Sequence, residues 1–227
     1  MSFRVSNQVL VETPEWSDAV HFYEHTFEFP ERKVAGAVEF DAGPINLRVF
    51  PATRPRTVLE LLTSQRDQAR AALRIAGFEE VRWPADGGES LVIDPFGFPW
   101  SIRLDPNLLL PPELSEPPKS YVRPKVGLNT PRADEAARFY GNLLSVPVNR
   151  LADGTWIIDS GPMRLRFLSS HLTFACLWLS PEAPAADLAD DGCDFDGDLA
   201  RDPFGVYWRI DSSPAVTHAV VQDRPKT

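Results

Sequence analysis

The feature that most constrains this chain is that it repeats itself. Thr13-Pro14 is followed by Phe22-Tyr23, and Thr130-Pro131 by Phe139-Tyr140, both features lying 117 residues apart. FDAGPINLRVF (40–50) returns as IDSGPMRLRFL (158–168) at an offset of 118, and DPFGFPWSIRLD (94–105) as DPFGVYWRID (202–211) at an offset of 108. Three matched blocks in the same order make two tandem copies of one unit, each with its own apolar face to cover. Between them residues 108–120 carry Pro111, Pro112, Pro117 and Pro118. That density excludes helix and central strand and predicts a stiff linker.

Within each copy the pattern predicts mixed α and β elements. An extended segment (8–12, or 125–129) leads to a helix, with Thr13 or Thr130 as N-cap and Pro14 or Pro131 at the first helical position. The helix carries Ala19, Phe22, Tyr23 and Phe27, or Ala136, Phe139, Tyr140 and Leu144, at helical spacing, so the Phe-Tyr pair reads as core. Strands at 37–41 and 45–50, or 156–159 and 163–168, flank Gly-Pro turns as hairpins. A further strand (57–62, or 172–179) precedes a second helix that stops at Gly77 or Gly192. The DPFG turn and a last strand close each copy, Asp forming the turn and Gly supplying positive φ.

Charge narrows the partners. A net −9 with no basic cluster longer than Arg54-Pro55-Arg56 argues against nucleic acid and anionic membrane. The opening residues alternate apolar and polar rather than forming a signal-peptide core, and no apolar run is long enough to span a bilayer. Cys176 and Cys193 match no zinc or CxxC spacing, and Cys176 reads as a buried free thiol. The expectation is a soluble cytoplasmic protein.

An opening strand, a helix bearing Phe-Tyr, a small-residue-rich second helix ending in Ala76-Gly77 and a closing Asp-Pro-x-Gly turn together resemble the glyoxalase/bleomycin-resistance/extradiol dioxygenase (vicinal oxygen chelate) superfamily. The resemblance runs over residues 1–105 and again over 121–211. It implies an α+β fold of tandem βαβββ modules forming two glyoxalase-like half-open barrels with helices outside. The expected division is a first domain at 1–107, the linker at 108–120, a second domain at 121–212 and a C-terminal tail at 213–227.

Metal-dependent members of that superfamily take ligands from four strand positions, which here fall on Gln8, Arg48, Thr57 or Val58, and Ser101 in the first copy. In the second they fall on Lys125, Arg166, Thr173 (with His171 two residues earlier) and Arg209. Guanidinium has no electron pair to give and ammonium repels a cation, so the expectation is no metal and no cofactor. Lys125, Arg166 and Arg209 would face one cleft, there to bind an anion or to pair with Asp159, Asp202 and Asp211.

Other features read as bland. His21 and His25 lie off the apolar stripe, four apart. Asp194, Asp196 and Asp198 alternate like the start of a calcium loop, but Leu199 and Gly205 stand where its Gly and Glu belong. No nucleophile-elbow, phosphate-loop or zinc-protease motif occurs. The functional expectation is metal-independent binding of a small, anionic or aromatic molecule in a cleft lined by Lys125, Arg166, Arg209, His171, Thr173, Gln8, Arg48 and Ser101. The alternatives are a lyase, isomerase or dioxygenase relative with a relocated or metal-free site, and a non-catalytic scaffold.

Overall fold

A computed structural model of the chain describes residues 2–85, 88–108, 120–183 and 185–211. Most of the proline-rich stretch and the C-terminal tail expected from sequence lie outside the described residues.

The first copy runs β1 (Phe3–Thr13), α1 (Trp16–His25), β2 (Glu31–Val34), β3 (Ala37–Asp41), β4 (Asn46–Pro51), β5 (Arg56–Thr63), α2 (Arg66–Ile75), β6 (Glu79–Arg82), β7 (Leu91–Ile93) and β8 (Pro99–Leu104). The second runs β9 (Val122–Thr130), α3 (Ala133–Leu144), β10 (Val148–Arg150), β11 (Trp156–Asp159), β12 (Arg164–Ser169), β13 (Phe174–Leu179), α4 (Ala185–Asp190), β14 (Asp194–Asp196), β15 (Leu199–Arg201) and β16 (Tyr207–Ile210). Each copy is thus strand, helix, three strands, twice over.

The two sheets have the same order, β2-β3-β4-β1-β5-β8-β7-β6 and β10-β11-β12-β9-β13-β16-β15-β14. In each, two four-stranded modules meet at their first strands, β1 antiparallel to β5 and β9 antiparallel to β13. The first and last strands of the order remain edges, so each sheet stays open. This is the tandem α+β architecture expected.

Side-chain alternation gives each sheet two unlike faces. In the first, Val9, Val11, Leu47, Val49, Leu59, Leu61, Trp100 and Ile102 turn to the helices and are buried. Their neighbours Gln8, Leu10, Glu12, Arg48, Phe50 and Val58 turn to the other face, which lines a cleft. In the second, Val126, Leu128, Leu165, Phe167, Leu177 and Trp208 make the helix-side face. The helix-side faces of both sheets, with α1, α2 and α3, share one continuous core. Phe27 of the first copy lies 4.6 Å from Trp208 of the second, and Tyr140 of the second 5.4 Å from Trp100 of the first, measured between ring centroids.

The DPFG turns are structural, and more elaborate than their sequence suggests. Asp94 Oδ1 accepts the backbone N–H of Phe96 and of Phe98, both at 2.8 Å, and Asp202 Oδ1 those of Phe204 and Val206 at 3.0 and 2.9 Å. Gly97 and Gly205 take φ of +95° and +88°, the left-handed region that a Cβ disfavours. The second carboxylate oxygen then reaches across the chain. Asp202 Oδ2 accepts from Tyr23 of α1 and from Trp208, and Asp94 Oδ2 accepts from Tyr140 of α3 and from Trp100.

Two local expectations need correction. The helices begin at Trp16 and Ala133 with Glu15 and Arg132 at the caps, not at Thr13 and Thr130. Both threonines are still strand residues, paired with Pro51 and Ser169, and their hydroxyls accept from the backbone N–H of Glu15 and Arg132 as a turn. The strand expected from residue 172 begins instead at Phe174, because Leu172 stands 67% exposed ahead of the ladder. Cys176 and Cys193 are both buried and free.

Candidate functional site

Strand register decides which expected site residues meet. In the first cleft Gln8 and Arg48 converge on a residue that sequence reasoning did not single out, Glu39 of β3. Gln8 Nε2 donates to Glu39 Oε1 at 3.4 Å, Arg48 Nε lies 3.0 Å from the same oxygen, and Arg32 holds Oε2. Burial works against the Glu39 charge, but the hydrogen bonds from Arg32 and Gln8 and the Arg48 charge outweigh it and hold the carboxyl below its usual range. Arg48 also donates to Glu89 at 3.0 Å. Ser101 is buried on β8 opposite Glu60, which pairs with Arg103 at 2.9 Å. Val58 joins Leu10 and Leu91 in an apolar floor. Thr57 is opposite Val11 and so belongs to the helix side, not to the cleft.

In the second cleft Lys125, Arg166 and Arg209 do gather, and what they gather around is Trp178. Lys125 Nζ lies 3.6 Å from the centroid of the indole, Arg166 Cζ 5.0 Å and Arg209 Cζ 5.7 Å. A ring face attracts cations by about 0.5–2 kcal/mol each, depending on desolvation. The indole is only 4% exposed and covers Gly127, where an added Cβ would meet Cys176 Sγ at 2.5 Å and Trp178 Nε1 at 3.1 Å. A side chain at Gly127 would collide with Cys176 and press on the edge of the ring.

Each cation has its own carboxylate. Lys125 pairs with Asp211 at 3.2 Å, Arg209 with Asp198 at 3.3 Å, and Arg166 with Asp153. Of the counter-charges expected, Asp211 fills the role. Asp159 turns instead to Arg164, and Asp202 is buried in its turn on the helix side. Asp153 and Asp198, in the loops before β11 and β15, take their places, so the three cations need no bound anion for balance. Burial lowers the Lys125 pKa; Asp211 opposes that shift, and Arg166 adds to it.

Open volume lies beside this plug. A cavity of about 590 Å³ is lined by Asn129, His171, Leu172, Phe174, Tyr207 and Arg209, with Asp194, Asp196 and Asp198 along one wall. The rings of Phe174 and Tyr207 lie 4.4 Å apart, centroid to centroid, and Arg201 sits over Tyr207. His171 lines this cavity, but Thr173 does not: its methyl packs 3.5 Å from the Cβ position of Gly97 in the first copy's DPFG turn. A second cavity of about 550 Å³ lies at the matching end of the first cleft.

A divalent metal of the kind the fold can carry does not fit these residues. In the second cleft the ligand positions hold an ammonium and two guanidiniums, with an indole over the middle. In the first, Gln8 donates to Glu39, whose charge is already taken by Arg32 and Arg48. Among the described residues no group of three His, Cys, Asp or Glu side chains is arranged to hold a metal ion. The alternating aspartates 194, 196 and 198 are exposed. No described helix is long and apolar enough to cross a membrane.

Neither a protein-family model nor a curated protein sequence matches the chain. Solved structures do resemble it. The Mn(II)-bound glyoxalase from Novosphingobium aromaticivorans matches over 92% of this chain and 82% of its own, with a TM-score of 0.63 at 15% identity. The 2,3-dioxygenase LapB from Pseudomonas sp. KL28 matches over 91% of each chain, with a TM-score of 0.58 at 14% identity. The 2,2',3-trihydroxybiphenyl 1,2-dioxygenase from Sphingomonas wittichii strain RW1 matches over 92% and 90%, with a TM-score of 0.57 at 12% identity. With the repeat, the two identical strand orders and these likenesses together, the chain has the glyoxalase and extradiol dioxygenase fold of the vicinal oxygen chelate superfamily, in two tandem copies.

Proposed function

We propose that the protein binds a small planar aromatic molecule, without a metal, in the cavity of its second cleft. The observation that carries this reading is the aromatic floor of that cavity, Phe174 and Tyr207, open beside a ligand-position cluster already filled by Trp178 and three cations. A flat ring laid on that pair gains contact area and a stacking term of about 0.5–1.5 kcal/mol beyond burial. Asn129, 2% exposed, offers an amide at the cavity wall, and its Nδ2 is engaged by the Phe174 carbonyl at 3.4 Å. Its carbonyl oxygen is left for a ligand hydroxyl or amine. Three aspartates line the cavity together with Arg201 and Arg209, and Asp198 is already paired with Arg209 at 3.3 Å, so charge alone does not favour an anion there.

Calorimetric titration with 2-naphthol and a set of substituted phenols tests the reading, in the presence and absence of a chelator. At least one compound should bind with unchanged affinity in chelator, and Phe174→Ala or Tyr207→Ala should weaken it about tenfold, roughly 1.4 kcal/mol. Binding that vanishes with chelator would make the site metal-dependent, and no binding by any ring compound would remove the reading.

A further inference from the structure

We propose that the first cleft holds a separate site for a small monocarboxylate with a short apolar body, gripped by Arg54, Arg56 and Arg82. The two copies put their cavities at the same place, the end of the cleft where the loop after the fourth strand enters the fifth. Across the 118-residue offset Arg54 corresponds to Leu172 and Arg56 to Phe174. Register confirms the second pair: Arg56 stands opposite Glu12 on β1, and Phe174 opposite Asn129 on β9. The same loop therefore makes one cavity apolar and aromatic and the other basic.

The basic cavity has more cation than its own residues neutralise. Arg56 and Arg82 share a single carboxylate, Glu12, at 3.3 and 3.8 Å, the second beyond hydrogen-bond reach. Arg54 is exposed and has no partner among the described residues. Glu89, the other acid on the wall, pairs with Arg48 at 3.0 Å, and its backbone carbonyl accepts from Arg82 Nε at 3.1 Å, which leaves the terminal nitrogens of Arg82 for a ligand. Three guanidiniums beside Glu12 and an already paired Glu89, in a chain of net charge −9, make a local basic site whose fork geometry suits a further carboxylate. Phe50 and Leu91, with Leu10 and Val58 behind them, supply an apolar floor for the rest of the molecule.

The grip is ordered in advance. Pro55, between the two loop arginines, packs 3.6 Å from the Cβ position of Gly205 in the DPFG turn of the other copy. A loop docked in this way loses little freedom when a ligand arrives.

Isovalerate and its uncharged isostere isovaleramide separate charge from shape. Calorimetry on the full chain should show isovalerate bound and isovaleramide at least tenfold weaker. Arg54→Gln with Arg56→Gln should cut isovalerate affinity at least tenfold, with the circular dichroism spectrum unchanged. Phe174→Ala, which disturbs the other cavity, should leave isovalerate affinity as in the wild type. Equal binding of acid and amide, an unaffected Arg54→Gln/Arg56→Gln protein, or binding lost in Phe174→Ala would each overturn the assignment. Inorganic phosphate bound in place of isovalerate would overturn it too, by showing a phosphate site. If 2-naphthol binding fails while isovalerate binding holds, the second-cleft reading falls and this one stands.

Discussion

The hydroxyl of Tyr23, on the first helix, donates to Asp202 Oδ2 at 2.7 Å across 179 residues of chain, and Tyr140 makes the mirror-image bond to Asp94. Both carboxylates are buried, and each is the hub of its own DPFG turn. Burial raises the pKa of both aspartates, although the Trp, Tyr and backbone hydrogen bonds they accept pull the other way.

Replacing Tyr23 by Phe removes one donor from a buried acceptor and should cost about 1–3 kcal/mol in urea unfolding. Asp202→Asn should also destabilise. The double variant should lose less than the sum of the two, with a coupling of about 0.5–3 kcal/mol. Strict additivity would show that the bond contributes nothing.

The same pair predicts a loss of stability in alkali. Burial first, and then the neighbouring aspartate, push the Tyr23 and Tyr140 pKa values well above their usual value. A group whose pKa is raised by folding contributes stability that is present below its unfolded value, about 10, and is lost as pH rises beyond it. Each tyrosine should therefore add about 1.4 kcal/mol of destabilisation per pH unit above about pH 10. Urea midpoints of wild type and Tyr23→Phe/Tyr140→Phe, compared from about pH 9 to about pH 11, check this: the double variant should fall less steeply.

Gly127→Ala should destabilise by about 1–3 kcal/mol, since its Cβ would lie 2.5 Å from Cys176 Sγ, and it should shift Trp178 emission as the ring is displaced. The corresponding position in the first copy already carries Leu10, so Leu10→Ala should leave Trp178 emission unchanged.

Trp178→Ala removes a large buried side chain and the ring face shared by three cations. A loss of about 3–5 kcal/mol is expected. Because Lys125, Arg166 and Arg209 then face one another across a wetter cleft, added sodium chloride should recover more stability in the variant than in the wild type. Unfolding curves at low and high salt measure the difference.

The repeat made the fold legible, since paired blocks at nearly constant offsets report equivalent strands even where each block alone is weak. The polar edge strands β2, β6, β10 and β14 were not legible, because largely exposed segments of three or four residues carry no alternation. Around the site, the convergence of Lys125, Arg166 and Arg209 followed from the ligand positions that the family resemblance implies. Trp178 did not: in the run FACLWL every residue is apolar, and only pairing with Arg209 on β16 reveals that it faces the cleft. Asp153 and Asp198 sit in loops, where parity says nothing about direction. The Arg54 and Leu172 cavities depend on a loop docking against the other copy, which no local pattern encodes.

The crossed Tyr–Asp bonds set a rule for how such a chain can change. Each turn is completed by a side chain from the opposite copy, so neither copy is a free-standing cassette. Grafting a foreign first half onto residues 121–211 would leave the buried Asp202 carboxylate one donor short unless the graft brought a hydroxyl to the place of Tyr23. The cleft-facing residues obey no such rule, which is how one duplicated unit came to carry arginine at position 56 and phenylalanine at position 174 on the same scaffold.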